Sequence, residues 1–382
     1  MIGEDLRRGR APARARHRTP VAAGLLVLAV GVLALGPYAG GDVVHADDEG
    51  DALPSVHAGG VPLGVYVGPG DPRSVADFAT ATGTRPSLAS DYLPGGDGWA
   101  GMVMRAPLAR FLAPWDGSRY RLVLGVPLVP TARGRAVGTL AAGAAGRYDA
   151  EFTTLAESLA FYGQGDAIVR LGWEFNAPWY PWGVANTAGA ADYAAYFRHV
   201  VTAMRSVPGT SFRFVWNATP GPSPFDLAAA YPGDGYVDFV GLDLYDQIWG
   251  MPQDPNLVWS HFLTEANGLR WLSSFADAHH KAAVIPEWGV TIRSDGHGLG
   301  DDPLFVARMA GWVTTHDVAF TSYFGFDAPD GRHDILDGAF PNSLTAFEHS
   351  FATAHAVAVA GPGPGPGPGP GEADVNPTRA SR

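Results

Sequence analysis

The sequence predicts an α/β fold of the (β/α)8 TIM-barrel type, built as a single large domain. Apolar strand-like runs alternate with amphipathic helical stretches eight times along the chain. Polar residues also recur at the C-terminal ends of these runs, where a barrel gathers its functional loops. The competing fold, an open doubly wound sheet, favours a Gly-rich phosphate loop after its first strand. Gly64-Val-Tyr-Val-Gly68-Pro-Gly70 is no such loop, because it lacks the GxGxxG spacing and contains a proline.

Taken in order, the apolar run 63–67 reads as the first strand and the amphipathic stretch 73–82 as the helix that returns the chain. Strand 86–92 ends in Asp91-Tyr92 and is followed by helix 104–111. Strand 121–129 precedes helix 148–162, and strand 167–173 leads to Glu174 and then helix 191–207. Strand 212–217 ends in Asn217 before a short helix at 225–231. Strand 237–245 carries Asp243 and Tyr245 at its end, and one long helix is expected over 257–280. Strand 282–287 ends in Glu287 before helix 303–316, and strand 319–326 runs into Asp327 before the last helix at 343–355. The segments 93–101, 131–146 and 249–258 are expected to shape the mouth.

The barrel occupies residues 58–357. Arg7, Arg8, Arg10, Arg14, Arg16 and Arg18 precede an apolar run and then Val44-His45-Ala46, so residues 1–46 read as a secretory signal peptide. The alternative is an uncleaved membrane anchor, which would export the rest all the same. Residues 47–57 form a polar, flexible lead. Residues 358–382 form a tail in which Gly and Pro alternate from Gly361 to Gly371, with nothing to bury. Gly at every second place rather than every third excludes collagen.

Composition narrows the chemistry. The formal net charge is -12, and Lys281 is the only lysine, so a nucleic-acid partner is not expected. The absence of cysteine excludes disulfides, thiolate metal sites and thiol nucleophiles. HExxH, calcium-loop spacing and GxSxG are all missing, so no metal, no cofactor and no serine-esterase elbow are expected.

Two strand-end glutamates with tryptophan beside them carry the positive signal: Glu174, in Arg170-Leu-Gly-Trp-Glu174-Phe-Asn176-Ala-Pro-Trp179-Tyr180-Pro-Trp182-Gly183, and Glu287, in Pro286-Glu287-Trp288-Gly289. Cleaving a glycosidic bond needs one protonated and one ionised carboxyl, and aromatic faces stack on pyranose rings. The bland alternative is that each glutamate is solvated or paired with Arg170. Trp179, Trp182, Trp249 and Trp288 are candidate platforms, with core packing as the competing use. Asn217 either binds a sugar hydroxyl or caps the next turn.

These motifs resemble glycoside hydrolase family 26, the family of β-mannanases and related β-glycanases among the retaining (β/α)8 hydrolases. The shared positions are Arg170 four places before Glu174, Asn176 two places after it, the segment from Trp179 to Gly183, Pro286-Glu287-Trp288-Gly289, and Tyr236-Val-Asp-Phe-Val-Gly-Leu-Asp243-Leu-Tyr245-Asp246. The resemblance implies Glu174 as acid/base, Glu287 as nucleophile and Tyr245 as the hydroxyl holding it. It also implies a substrate lined by Arg170, Asn176, Trp179, Trp182, Asp243, Tyr245 and Trp288. The family usually has histidine where this chain has Trp173. The expected protein is an exported, monomeric retaining endo-β-glycanase. A non-catalytic carbohydrate-binding barrel and an envelope transglycosylase remain as alternatives.

Overall fold

A computed structural model describes residue 58 and residues 60–352 of the chain. The expected signal peptide, the flexible lead and the Gly-Pro tail lie outside those residues. Eight strands form one parallel sheet: β1 (Leu63–Tyr66), β2 (Leu88–Tyr92), β3 (Arg121–Val126), β4 (Ile168–Leu171), β5 (Arg213–Ala218), β6 (Phe239–Tyr245), β7 (Ala282–Gly289) and β8 (Val318–Phe324). Their order is β1-β8-β7-β6-β5-β4-β3-β2, so the sheet curls until its first and last strands meet. At that seam the Ser87 amide donates to the Leu63 carbonyl at 3.0 Å. This is the expected (β/α)8 barrel, nearly closed.

Strand alternation fills the barrel. Leu88, Val123, Ile168, Val215, Phe239, Val284 and Phe320 form one apolar layer inside it. Polar side chains take over further along the same strands: Ser90 and Ser322 share a buried hydrogen bond at 2.7 Å, and Arg170, Asn217 and Asp243 are buried.

Three helices start where an aspartate precedes a proline. α1 (Pro72–Thr82) is capped by Asp71, α7 (Pro255–Thr264) by Asp254 and α9 (Pro303–Thr315) by Asp302. In each, the carboxylate accepts from free amides of the first turn, and the proline occupies a place whose N–H would have no partner in the helix. α3 (Arg105–Leu112), α5 (Asp149–Phe161), α6 (Thr187–Arg205) and α10 (Pro341–Phe351) lie close to their expected places; expected residues 353–355 of the last helix fall outside the described residues.

Three expectations change. The long helix over 257–280 is two helices, α7 and α8 (Leu269–Ala278). Between them Asn267 takes a φ of +58°, and a Cβ at Gly268 would lie 2.5 Å from the Phe262 carbonyl oxygen. The helix at 225–231 shrinks to a 3-10 turn, Leu227–Ala230, capped by Asp226. The mouth segments also hold two short helices, α2 (Gly98–Val103) and α4 (Leu140–Ala144). A two-residue ribbon, Ile292–Arg293 against Gly331–Arg332, ties the segment after β7 to that after β8.

Candidate active site

Glu174 does not close β4, which ends at Leu171. Gly172 takes a φ of +53°, and a Cβ there would come 2.6 Å from the Leu128 side chain, so the strand cannot continue in extended form. Glu174 itself has a φ of +51°, a left-handed conformation that costs a non-glycine residue about 1 kcal/mol and clusters at functional positions. Two bonds hold it there: its amide donates to the Asn217 carbonyl at 2.8 Å, and its carbonyl accepts from the Ala177 amide at 3.0 Å. The carboxyl is aimed at Trp179, whose indole Nε1 donates to Oε2 at 2.7 Å.

Glu287 reaches the same place from β7. Tyr245 donates to its Oε1 at 2.6 Å, Tyr92 donates to Oε2 at 2.5 Å, and Arg170 lies 2.7 Å from Oε2. The Arg170 guanidinium is fully buried. It donates from Nη2 to Asp243 Oδ2 at 2.5 Å, from Nε to Asn217 Oδ1 at 2.8 Å and from Nη1 to the Tyr92 hydroxyl at 3.0 Å. One cation thus sits between the carboxylates of β6 and β7, its donors satisfied by four strands.

The two glutamates therefore differ electrically. Burial, then the Glu287 charge, pushes the Glu174 carboxyl from 4.5 up to about 8, against the pull of the Trp179 indole. Glu287 has three donors, one of them a permanent cation. Burial opposes the Arg170 charge, but Asp243, Tyr92 and Glu287 together hold it well above its ordinary range. Asp243 is pushed up by burial even with Arg170 beside it.

The structure brings Glu174, Glu287, Arg170, Asp243, Tyr245 and Trp179 into one cluster. Trp179 and Tyr245 are partly exposed there. Five residues expected to line the substrate have their side chains committed to other contacts. Arg170 and Asp243 are the ion pair beneath Glu287, with no exposed surface to offer a sugar. Asn176 spends its amide on the residue just after β5, donating to the Thr219 carbonyl at 2.7 Å and accepting the Thr219 amide at 3.0 Å. Trp182 is buried and lies face to face with Tyr180 at 4.5 Å, its Nε1 donating to the Trp173 carbonyl.

Trp288 is the clearest correction. Glu287 faces the cluster, so the next residue on β7 faces the other side. Trp288 is fully buried there against Tyr323, Phe305, Phe347 and Phe351. Asn217 is fully buried; its Oδ1 accepts from Arg170 and its Nδ2 donates to the Ala218 carbonyl at 3.0 Å. Trp249 is 43% exposed and packs against Arg293 and His297. Trp173, in the histidine position, spends its indole donor on the Tyr180 hydroxyl at 2.9 Å and packs its ring 5.4 Å from Tyr92. Tyr92 was visible as a strand-end residue but carried no motif. Its neighbour Asp91 is turned away from the cluster: its carboxylate accepts from Gly70, Tyr92 and Trp115, and burial pushes it up to about 7.

Comparison with known proteins agrees with the motif resemblance. The model of "Glycosyl hydrolase family 26" matches residues 162–281, a segment that carries β4, β5, β6 and Glu174 and stops just before β7 begins, so Glu287 lies outside it. "Endoglucanase H" of Acetivibrio thermocellus is 31% identical over 122 residues, 31% of this chain and 13% of that protein. "Beta-1,3-xylanase" of an Alcaligenes species is 30% identical over 233 residues, 59% of this chain and 43% of that protein. The chain thus spans less than half the length of either relative. A solved modular endo-β-1,4-mannanase from Cellulomonas fimi superposes with a TM-score of 0.55 at 19% identity, covering 79% of this chain and 72% of that one. That last likeness is one of fold, and it supports the (β/α)8 barrel. In sequence the chain resembles glycosyl hydrolase family 26.

Proposed function

We propose that this chain, a relative of glycosyl hydrolase family 26, is an exported retaining endo-β-glycanase that cuts the backbone of a plant- or envelope-type β-linked polysaccharide. One observation carries the reading: two neighbouring carboxyls have opposite environments. Glu174 is buried beside another negative charge and keeps its proton to about pH 8. Glu287 is held by Arg170, Tyr92 and Tyr245. An acid that is protonated at neutral pH beside a carboxylate that is ionised is what double displacement at an acetal carbon requires.

In the reaction, Glu174 gives its proton to the glycosidic oxygen while Glu287 attacks the anomeric carbon and forms a glycosyl ester. Loss of that proton leaves Glu174 ionised. It then takes a proton from water, which displaces Glu287 and restores both carboxyls. Trp179 combines two tasks: its Nε1 holds Glu174, and its ring is partly exposed as a surface for a sugar face. Export rests on the basic and apolar character of residues 1–46.

The test is product release by residues 47–361 on mannan, galactomannan, mixed-linkage glucan, β-1,3-xylan and actinobacterial envelope glycans, beside Glu287→Gln. Oligosaccharides from one substrate, absent with the variant, would support the reading. Equal release by the variant would sink it. Binding without release by the unaltered protein would favour the carbohydrate-binding barrel instead.

A further inference from the structure

Tyr92 is the member of the cluster that the motifs leave without a role. Its hydroxyl stands between a cation and a carboxylate: it accepts from Arg170 Nη1 at 3.0 Å and donates to Glu287 Oε2 at 2.5 Å. A phenol that accepts from a guanidinium is polarised into a stronger donor. The ring is held on several sides. Tyr66 meets it edge-on at 5.0 Å and Trp173 lies at 5.4 Å. On β3 a glycine leaves room for it: a Cβ at Gly125 would come 2.5 Å from Tyr92 Cδ1.

The donors on Glu287 are divided unequally. Among the described residues, Oε1 takes Tyr245 alone, whereas Oε2 takes both Tyr92 and Arg170. A carboxylate oxygen that bonds carbon gives up its donors, so attack through Oε1 surrenders one and attack through Oε2 would surrender two. We propose that Oε1 is the attacking oxygen, and that Tyr92, with Arg170, holds Oε2 so that Glu287 leaves readily when the glycosyl-enzyme is hydrolysed. The proposal rests on the function proposed above and adds a positioning residue for its second half.

In that half, the bond from water oxygen to the anomeric carbon forms and the bond from that carbon to Oε1 breaks. The bonding pair returns to Glu287, and the proton lost by water goes to Glu174. Negative charge on the Glu287 carboxyl grows during this step and shrinks during the first. Donors on Oε2 therefore favour hydrolysis of the intermediate and slightly oppose attack.

The experiment is Tyr92→Phe assayed with the 2,4-dinitrophenyl β-glycosides of mannobiose, cellobiose and β-1,3-xylobiose. With so good a leaving group, kcat reports hydrolysis of the intermediate and kcat/KM reports attack. We expect kcat to fall about 10- to 100-fold and KM to fall with it, leaving kcat/KM within about threefold. A stoichiometric burst of dinitrophenol should appear. Equal falls in kcat and kcat/KM would show mere mispositioning and overturn the proposal, as would unaltered kinetics. If the variant does not fold, 3,5-difluorotyrosine at position 92 keeps the ring and strengthens the donor. Its kcat should rise with kcat/KM little changed, and an unchanged or lower kcat overturns the proposal. Glu287→Gln run alongside separates the two levels: turnover surviving there removes the proposed function, whereas turnover lost there with Tyr92→Phe unaffected removes only the role of Tyr92. An unaltered protein silent on all three glycosides removes both.

Discussion

Replacing Glu174 with glutamine should stabilise the protein near neutral pH while removing its activity on unactivated glycans. The carboxyl rises from 4.5 to about 8 in the folded chain, first because it is buried and then because Glu287 is charged. A carboxyl that holds its proton more tightly when folded penalises the fold once the unfolded chain ionises. The penalty is absent below about pH 4.5, grows with pH, and is complete near pH 8. Each pH unit between those limits is worth about 1.4 kcal/mol, so the penalty at pH 7 is about 3 kcal/mol. Glutamine escapes it, since it carries no charge and keeps an oxygen for the Trp179 indole. Urea unfolding of both proteins at pH 4 and pH 7 measures the effect. The variant should gain about 3 kcal/mol at pH 7 and almost nothing at pH 4. Because Glu287 supplies part of the shift, the gain should shrink in a Glu287→Gln background. A gain of equal size at both pH values, or a loss at pH 7, would refute the assignment of Glu174 as the buried, protonated member of the pair.

The same raised pKa predicts that kcat/KM on polysaccharide falls at alkaline pH with a midpoint near 8, measured by reducing-end release; a flat profile to pH 10 would contradict it. Tyr245→Phe should lower kcat about 10- to 100-fold in the same assay, because it strips the hydroxyl that donates to Glu287 Oε1. Gly125→Ala places a methyl 2.5 Å from the Tyr92 ring, so it should cost about 1–3 kcal/mol in denaturant unfolding and lower activity with it. Trp288→Ala should cost about 3–5 kcal/mol of stability, because the ring is fully buried among Tyr323, Phe305 and Phe351; a loss of glycan binding without a loss of stability would instead make Trp288 a platform.

Much of this molecule was legible in its sequence. Each barrel strand falls within three residues of its expected limits, because buried parallel strands are near-continuous apolar runs. Glu174, Asp243, Tyr245 and Glu287 were found by looking at the ends of those runs. Local breaks were harder. The division between α7 and α8 depends on Asn267 entering a left-handed conformation and on Gly268 packing beneath a carbonyl, neither of which hydrophobic periodicity records.

The roles of side chains were less legible than their positions. Arg170 lay open between a substrate clamp and an ion pair, because the sequence does not state which carboxylates face it. Trp288 and Glu287 are adjacent in sequence, yet one packs under helices and the other enters the cluster. Trp173 changes the donor inventory beside Glu174, but only the fold shows that its indole is spent on Tyr180. The sequence by itself determined the barrel, the acidic and cysteine-free chemistry, and the two glutamates with their aromatic company, because these follow from composition, periodicity and strand ends. Only the tertiary arrangement shows that Glu174 is buried beside Glu287, that Arg170 lies beneath Glu287, and that Tyr92 from β2 reaches a carboxylate on β7. Tyr92 and Glu287 stand 195 residues apart in the chain. Hydrogen bonds and desolvation act through space, so such a partnership exists only once the barrel brings those strands to one mouth.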